Sequence, residues 1–166
     1  MSSAVMRRSE WLVALVASCA VVGGMWLFAA IGGALGIARS DDWSYLLTQF
    51  EFADSGHFVM NNWAVTMLIG QTLVAAPVVA VFGPNIGALQ GLVAVMSAGA
   101  LVVTYGLVRK ALPIGWAVFA VATLAASPIF GPSVVSFMTD IPALLFLSLS
   151  LWIGINSLRG AVPSWS

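Results

Sequence analysis

Charged side chains are scarce in this sequence. Of its 166 residues, only 7% are Asp, Glu, Lys or Arg, and 61% are hydrophobic. In an ordinary soluble domain, about a quarter of the residues are charged. So few polar side chains cannot cover a globular surface in water. The composition therefore excludes a free-standing soluble domain and indicates that lipid surrounds most of the chain.

Cysteine and clusters of basic residues are nearly missing as well. The single cysteine, Cys19, cannot form an internal disulfide or a cysteine-based metal site. The formal net charge is zero, and no basic run is long enough to neutralise the phosphates of a nucleic acid. The sequence also contains no phosphate-binding glycine loop and no nucleophile elbow. Nucleic acid is therefore not expected as a partner.

Long uncharged runs make up most of what remains. About 20 apolar residues cross a bilayer, whereas a cleaved signal peptide has an apolar core of only about 7–15 residues. We predict an all-α fold, a polytopic bundle of membrane helices with spans at residues 11–38, 86–108, 112–129 and 141–158. The segments between them are predicted as a cytoplasmic N-terminus at 1–10, an outer loop at 39–85, an outer connection at 130–140 and a tail at 159–166.

Residues 63–82 form a further apolar run inside the predicted outer loop. If they span the membrane and the N-terminus is cytoplasmic, the last three cations of the chain lie outside, against the positive-inside rule. If they instead lie in the interface or re-enter, the cytoplasmic side holds Arg7, Arg8, Arg109, Lys110 and Arg159. We favour this second, four-span topology in a bacterial plasma membrane. Five spans with an outer N-terminus would also suit the arginines, but would move the acidic loop to the cytoplasm.

Four of the six acidic residues lie between Asp41 and Asp54. From Trp43 to Phe50, apolar residues recur at the i, i+3, i+4, i+7 spacing of one helical face. This pattern predicts a short helix on the extracytoplasmic membrane surface. We expect its apolar face to rest on lipid and its carboxylates, including Asp42, to point toward water.

Asp41 and Asp42 are the candidate catalytic residues and the candidate ligands of a divalent cation. One carboxylate can act as a general base on an acceptor hydroxyl. Together they can hold a cation that offsets phosphate charge. Adjacent helical residues point about 100° apart, so the two need not share one role. Both can equally be acids that stabilise a helix N-terminus. No other cofactor is expected.

Four more residues are candidates for binding a sugar or a lipid phosphate: Asp140, Arg39, Tyr45 and His57. Asp140 begins an apolar run, where an ionisable group is costly and often functional. Arg39 is a suitable partner for a phosphate. Each residue also has a plain structural interpretation. Asp140 can be an acid at a helix N-terminus, and Arg39 can be a cation that ends a span. Tyr45 can be an aromatic ring at the membrane interface, and His57 can be an ordinary loop histidine.

The order of several short motifs resembles that of the polytopic GT-C glycosyltransferases, in the branch with protein O-mannosyltransferase-like and aminoarabinose-transferase-like members. Asp41-Asp42-Trp-Ser-Tyr45 and Ser55-Gly56-His-Phe58 resemble the first outer loop of that branch. Phe82-Gly-Pro-Asn85 is similar to its break before the second span. Thr139-Asp140-Ile-Pro-Ala143 is similar to its later Asp-x-Pro boundary.

The resemblance implies a polyprenyl-phosphate-linked sugar as donor and a loop aspartate as base or cation ligand. It also implies that Asp140 faces an outer cavity near the lipid phosphate. Members of this family are several times longer, so the chain would correspond to their N-terminal part. The remainder of the enzyme or a partner chain would then complete it.

Two other functions stay open. The chain could be a non-enzymatic membrane subunit, or an inactive truncated product, with helices that pack through Gly83, Gly87 and Gly91. It could also be a transporter fragment with Asp140 in an ion path. The transporter hypothesis ranks last, because no second acidic residue lies within a predicted span.

Overall fold

The chain folds into α-helices. The computed structural model describes residues 7–39, 41–59, 63 and 69–161, with side chains up to residue 158. These residues form α1 (Arg8–Ile31), α2 (Asp42–Ser55), α3 (Ile69–Phe82), α4 (Ile86–Arg109), α5 (Ile114–Ala125), α6 (Phe130–Val134) and α7 (Asp140–Ala161). They contain no strand, so the all-α prediction is confirmed. Parts of the predicted N-terminus, outer loop and tail (residues 1–6, 40, 60–62, 64–68 and 162–166) lie outside the described residues.

Among the described residues, three helices are long and apolar enough to cross a membrane: α1, α4 and α7. The first two have 24 residues each, or about 36 Å at about 1.5 Å per residue, against a hydrocarbon core of about 30 Å. The outer side of α1 is apolar, since Val13, Val16 and Phe28 are exposed. An integral membrane protein is compatible with these features.

The helices α3 and α5 are shorter than the apolar runs that contain them. α5 has 12 residues, about 18 Å, whereas the span predicted there covers residues 112–129. Pro113 immediately precedes this helix and the chain turns after Ala125, so neither end extends the helix. α3 has 14 residues with Pro77 inside. Neither helix matches a hydrocarbon core of about 30 Å by itself, and the number of spans stays a prediction.

The centre of the bundle is α4. It packs against α1, α3, α5 and α7, and its Leu89, Val93 and Leu101 are completely buried. The other long helices pack on it with one side and expose apolar residues on the other. A central helix surrounded by helices with apolar outer faces is the arrangement expected when lipid is the solvent.

The long helices define two ends of the molecule. At one end, which we call the basic end (Arg7, Arg8, Glu10, Arg109 and Lys110), Arg109 Nη2 lies 3.1 Å from Glu10 Oε2. There Lys110 also donates to the side chain of Asn156 on α7. At the opposite end, which we call the acidic end (Arg39, Asp41, Asp42, Phe137 and Asp140), Phe137 N–H donates to Asp42 Oδ2. The α1–α2 loop meets the start of α4 near this acidic end, where Gly36 N–H donates to Gln90 Oε1 at 2.8 Å.

Close packing of aromatic rings joins three helices at the basic end. The rings of Trp11 on α1 and Trp152 on α7 meet edge to face, with centroids 5.3 Å apart. Gly106 of α4 lies directly under both. A Cβ atom there would lie 2.5 Å from each ring, closer than real Cβ contacts. Glycine is therefore needed at this position for the three helices to approach.

Both ends of α3 lie near the acidic end. At its start, Gln71 Nε2 donates to the carbonyl oxygen of Phe137 at 3.3 Å. At its end, Gly83 adopts a positive φ of 67° and turns the chain into α4. Asn85 then caps α4 by accepting a hydrogen bond from Ala88 N–H at 3.0 Å. α3 therefore begins and ends near the acidic end.

Candidate functional site

Asp42 lies at the centre of the acidic end and is completely buried. Its Oδ1 accepts a hydrogen bond from Arg39 N–H, and its Oδ2 accepts one from Phe137 N–H at 3.4 Å. The expectation that this carboxylate points toward water is therefore wrong. Buried backbone N–H groups must find acceptors, and a carboxylate is a strong acceptor. One side chain thus joins the α1–α2 loop to the α6–α7 connection.

Burial raises the pKa of the Asp42 carboxyl above its ordinary value. The backbone N–H groups of Arg39 and Phe137 and the positive charge of Arg39 favour the ionised form and lower the pKa. Desolvation is the larger effect, because an enclosed carboxylate loses its hydration. Asp42 is therefore a harder group to ionise than an exposed aspartate.

The orientation of α2 differs from the predicted one. Tyr45 and Leu46 are 7% and 3% exposed, whereas Trp43 and Leu47 are 40% and 52% exposed. The predicted apolar stripe is thus divided between the core and the outer surface. On the outer surface, the Trp43 ring pairs with the Trp63 ring, with their centroids 6.1 Å apart.

Asp41 has a different environment from its neighbour. It occupies the N-cap position of α2, its side chain is exposed, and it makes no capping hydrogen bond with the described residues. Both oxygens of Asp42 already accept backbone N–H groups. Each of these oxygens keeps a further lone pair, and a divalent cation held by Asp41 and Asp42 stays a prediction. Asp41 is the exposed carboxylate of the pair.

The remaining predicted residues are not all brought together. Asp140 begins α7 and is exposed, three residues after Phe137, which contacts Asp42. His57 is exposed beyond the opposite end of α2, and a helix of 14 residues separates it from Asp42 by about 20 Å. Tyr45 is buried in the core. The acidic end thus gathers Asp140 with the acidic pair and leaves out His57.

Arg39 borders a cavity of about 740 Å³ between the end of α1 and α6. Small residues form much of its wall, including Gly24, Gly32 and Gly131. Arg39 is exposed and is the charged residue of the described lining. An apolar cavity with a cation at its edge suits a molecule that has a hydrocarbon chain and an anionic group.

Buried amide side chains are the part of the site that the sequence pattern missed. Gln90 donates its Nε2 to the Ile37 carbonyl at 3.2 Å and so holds the α1–α2 loop. Gln49 is fully buried, and neither its Nε2 nor its Oε1 has a hydrogen-bond partner among the described residues. Gln71 and Gln90 each lie inside an uncharged run of the sequence. A polar side chain in such a run is the signal that would have predicted their buried hydrogen bonds.

Comparison with family models, curated proteins and solved structures gave no match to this chain. The function of the acidic end therefore has to be argued from its own geometry.

Proposed function

We propose that this chain is the N-terminal part of a membrane glycosyltransferase of the GT-C type. It would take a sugar from a polyprenyl-phosphate-linked donor and transfer it to a hydroxyl acceptor on the extracytoplasmic side. One observation carries the proposal. The hydrogen bond from Phe137 N–H to Asp42 Oδ2 joins the Asp41-Asp42 loop to the connection before Asp140, 95 residues apart in the chain. These are two of the stretches on which the family resemblance rests.

In this mechanism Asp41 is the general base. Its exposed carboxylate takes the proton of the acceptor hydroxyl as the acceptor oxygen bonds to the anomeric carbon of the sugar. The bond between that carbon and the phosphate oxygen breaks, and the polyprenyl phosphate leaves with the electron pair. Arg39 pairs with the phosphate while the hydrocarbon chain occupies the cavity beside it. Asp42 is a positioning residue that fixes the backbone on both sides.

The topology that accompanies this function places the acidic end outside and the basic end in the cytoplasm. The cations of the basic end then follow the positive-inside rule. Trp43 and Trp63 would lie at the membrane–water interface, where tryptophan is enriched. α3, with both ends near the acidic end, would remain in the outer interface of a bacterial plasma membrane.

Transfer of radiolabelled sugar in native membranes tests the mechanism. We expect Asp41→Asn to reduce the rate by about 10²-fold or more, the usual contribution of a general base, without preventing donor binding. Arg39→Gln should weaken binding of polyprenyl-phosphate mannose, used as the probe. Glu51→Gln, a change at another exposed acid of α2, is the matched control. Unchanged transfer in Asp41→Asn would contradict the mechanism, whatever the effect of Asp42→Asn.

A second candidate is a non-enzymatic membrane subunit. The observation that favours it is the structural use of Asp42, whose two oxygens both hold backbone groups. On this hypothesis, Asp42→Asn weakens the fold while Asp41→Asn changes neither fold nor transfer. The two substitutions therefore separate the candidates in one assay.

A further inference from the structure

A slot runs between α1 and α5 in the half of the molecule nearer the basic end. Its volume is about 230 Å³. α4 packs against both helices and forms the floor of the slot with Leu101 and Tyr105. Small side chains line the two walls, among them Ala14 and Ala17 on α1 and Ala122 on α5. Because these side chains are small, the helices leave a space between them.

The chemistry of the slot suits hydrocarbon. Of the described residues that line it, Ser18 and Tyr105 alone carry a polar group. An apolar cavity of about 150 Å³ stays dry and accommodates a benzene molecule, and this slot is larger. It lies along α1, one of the helices able to cross a membrane. A lipid chain is therefore a better occupant than water or a polar ligand.

The basic end supplies a partner for an anionic headgroup. Its described charged side chains are four cations and one anion: Arg7, Arg8, Arg109, Lys110 and Glu10. Arg109 Nη1 donates to the Leu112 carbonyl at 3.0 Å, two residues before Ile114, which lines the slot. Basic residues next to a membrane attract anionic lipids, and the attraction decays within a Debye length. The excess of cations thus lies where a headgroup would emerge.

We propose that the slot binds one acyl chain of an anionic phospholipid, with the phosphate against the basic end. This site is separate from the acidic end and does not depend on the transferase hypothesis. The bound chain would fill the space between α1 and α5, and it would hold in place a helix of 12 residues that is too short to match the bilayer alone.

Native mass spectrometry of the full chain tests the proposal. The protein is extracted in detergent with equal amounts of palmitoyl-oleoyl phosphatidylglycerol and phosphatidylcholine. We expect one retained phosphatidylglycerol. Ala17→Phe and Ala122→Phe, which fill the slot, should each abolish its retention. Ala20→Phe, on an exposed part of α1 outside the slot, is the matched control and should retain it. Arg8→Gln should reduce the preference for phosphatidylglycerol over phosphatidylcholine.

Photo-crosslinking of the unaltered chain decides the question even where a slot-filling variant does not fold. Phosphatidylglycerol with a diazirine in its acyl chain should label peptides that contain Ser18 and Ala122. Equal retention of the two lipids would overturn the proposal. So would labelling spread evenly around α1, or a dimer mass without bound lipid, which would assign the slot to a second copy of the chain.

Discussion

At the scale of single residues, two neighbouring carboxylates have opposite environments. Asp41 is exposed, whereas Asp42 is enclosed and accepts two backbone N–H groups. The sequence predicts that adjacent helical residues point about 100° apart, but it does not tell which one points inward. That choice depends on Phe137, which lies 95 residues away and contributes only its backbone N–H. A partner that contributes only a backbone N–H cannot be predicted from the pattern of side chains.

Replacing Asp42 tests this difference. Asp42→Asn removes one acceptor oxygen and leaves a buried N–H unsatisfied, so we expect a loss of about 1–3 kcal/mol in the free energy of unfolding. Asp41→Asn, at an exposed position, should change it by less than about 0.5 kcal/mol. Thermal unfolding in detergent, followed by circular dichroism, measures both. Equal small effects would mean that the two backbone bonds do not stabilise the fold.

The loss in the free energy of unfolding caused by Asp42→Asn should also depend on pH. Burial raises the pKa of Asp42 in the folded protein above the value of about 3.9 in an unfolded chain. The stability that Asp42 contributes is therefore full below about pH 3.9 and is lost as the pH rises through the folded-state pKa. The asparagine variant has no such dependence. The difference between the two proteins should narrow as the pH rises, and melting curves across the acidic range check its sign.

At the scale of elements, the long helices follow from composition and the short ones do not. The uncharged runs predict α4 and α7 to within three residues, because about 20 apolar residues suffice for a span. The run that predicts α1 continues seven residues past the end of that helix at Ile31, since the chain turns there. The predicted stripe of α2 does not determine its orientation, since polar Asp42 and Gln49 lie inside. Burial of Asp42 is matched by the backbone N–H of Phe137 in a connection distant along the chain, which periodicity cannot detect.

Packing of α4 gives a prediction at this scale. Gly106→Ala should destabilise the bundle, because its Cβ would overlap both Trp11 and Trp152 and overpacking costs about 1–3 kcal/mol. Gly91→Ala is the matched control on the same helix. No described atom lies within 4 Å of its Cβ, so the higher helix propensity of alanine, about 1 kcal/mol, should act alone. A Gly106→Ala protein that melts like the Gly91→Ala protein would show that the aromatic rings move aside freely.

At the scale of the whole molecule, charge distinguishes the two ends. The basic end carries four of the described cations, and the acidic end carries Asp41, Asp42 and Asp140 with Arg39. This distribution follows from the sequence once α1 is known to run antiparallel to α4 and α7 parallel to it. The meeting of Asp42 with Phe137 does not, because it requires the three-dimensional fold.

Labelling of single cysteines tests the orientation in the membrane. In a chain with Cys19→Ala, Ser55→Cys at the end of α2 should react with an impermeant maleimide added outside. Ser157→Cys on α7, near the basic end, should react only after the cells are opened. Both positions are exposed. The opposite pattern would place the acidic loop in the cytoplasm, and it would rule out transfer on the extracytoplasmic side.

The backbone of Phe137 also has a consequence for biogenesis. Its N–H serves Asp42 on α2, and its carbonyl serves Gln71 on α3. Both helices are synthesised long before it: the ribosome needs about 5–20 s to add the 95 residues that separate Asp42 from Phe137. During that time the Asp42 carboxylate can accept a hydrogen bond from Arg39 N–H, but Phe137 N–H, its second donor, has not yet been made. The front of the protein can therefore reach its final arrangement only after the start of α7 has been made.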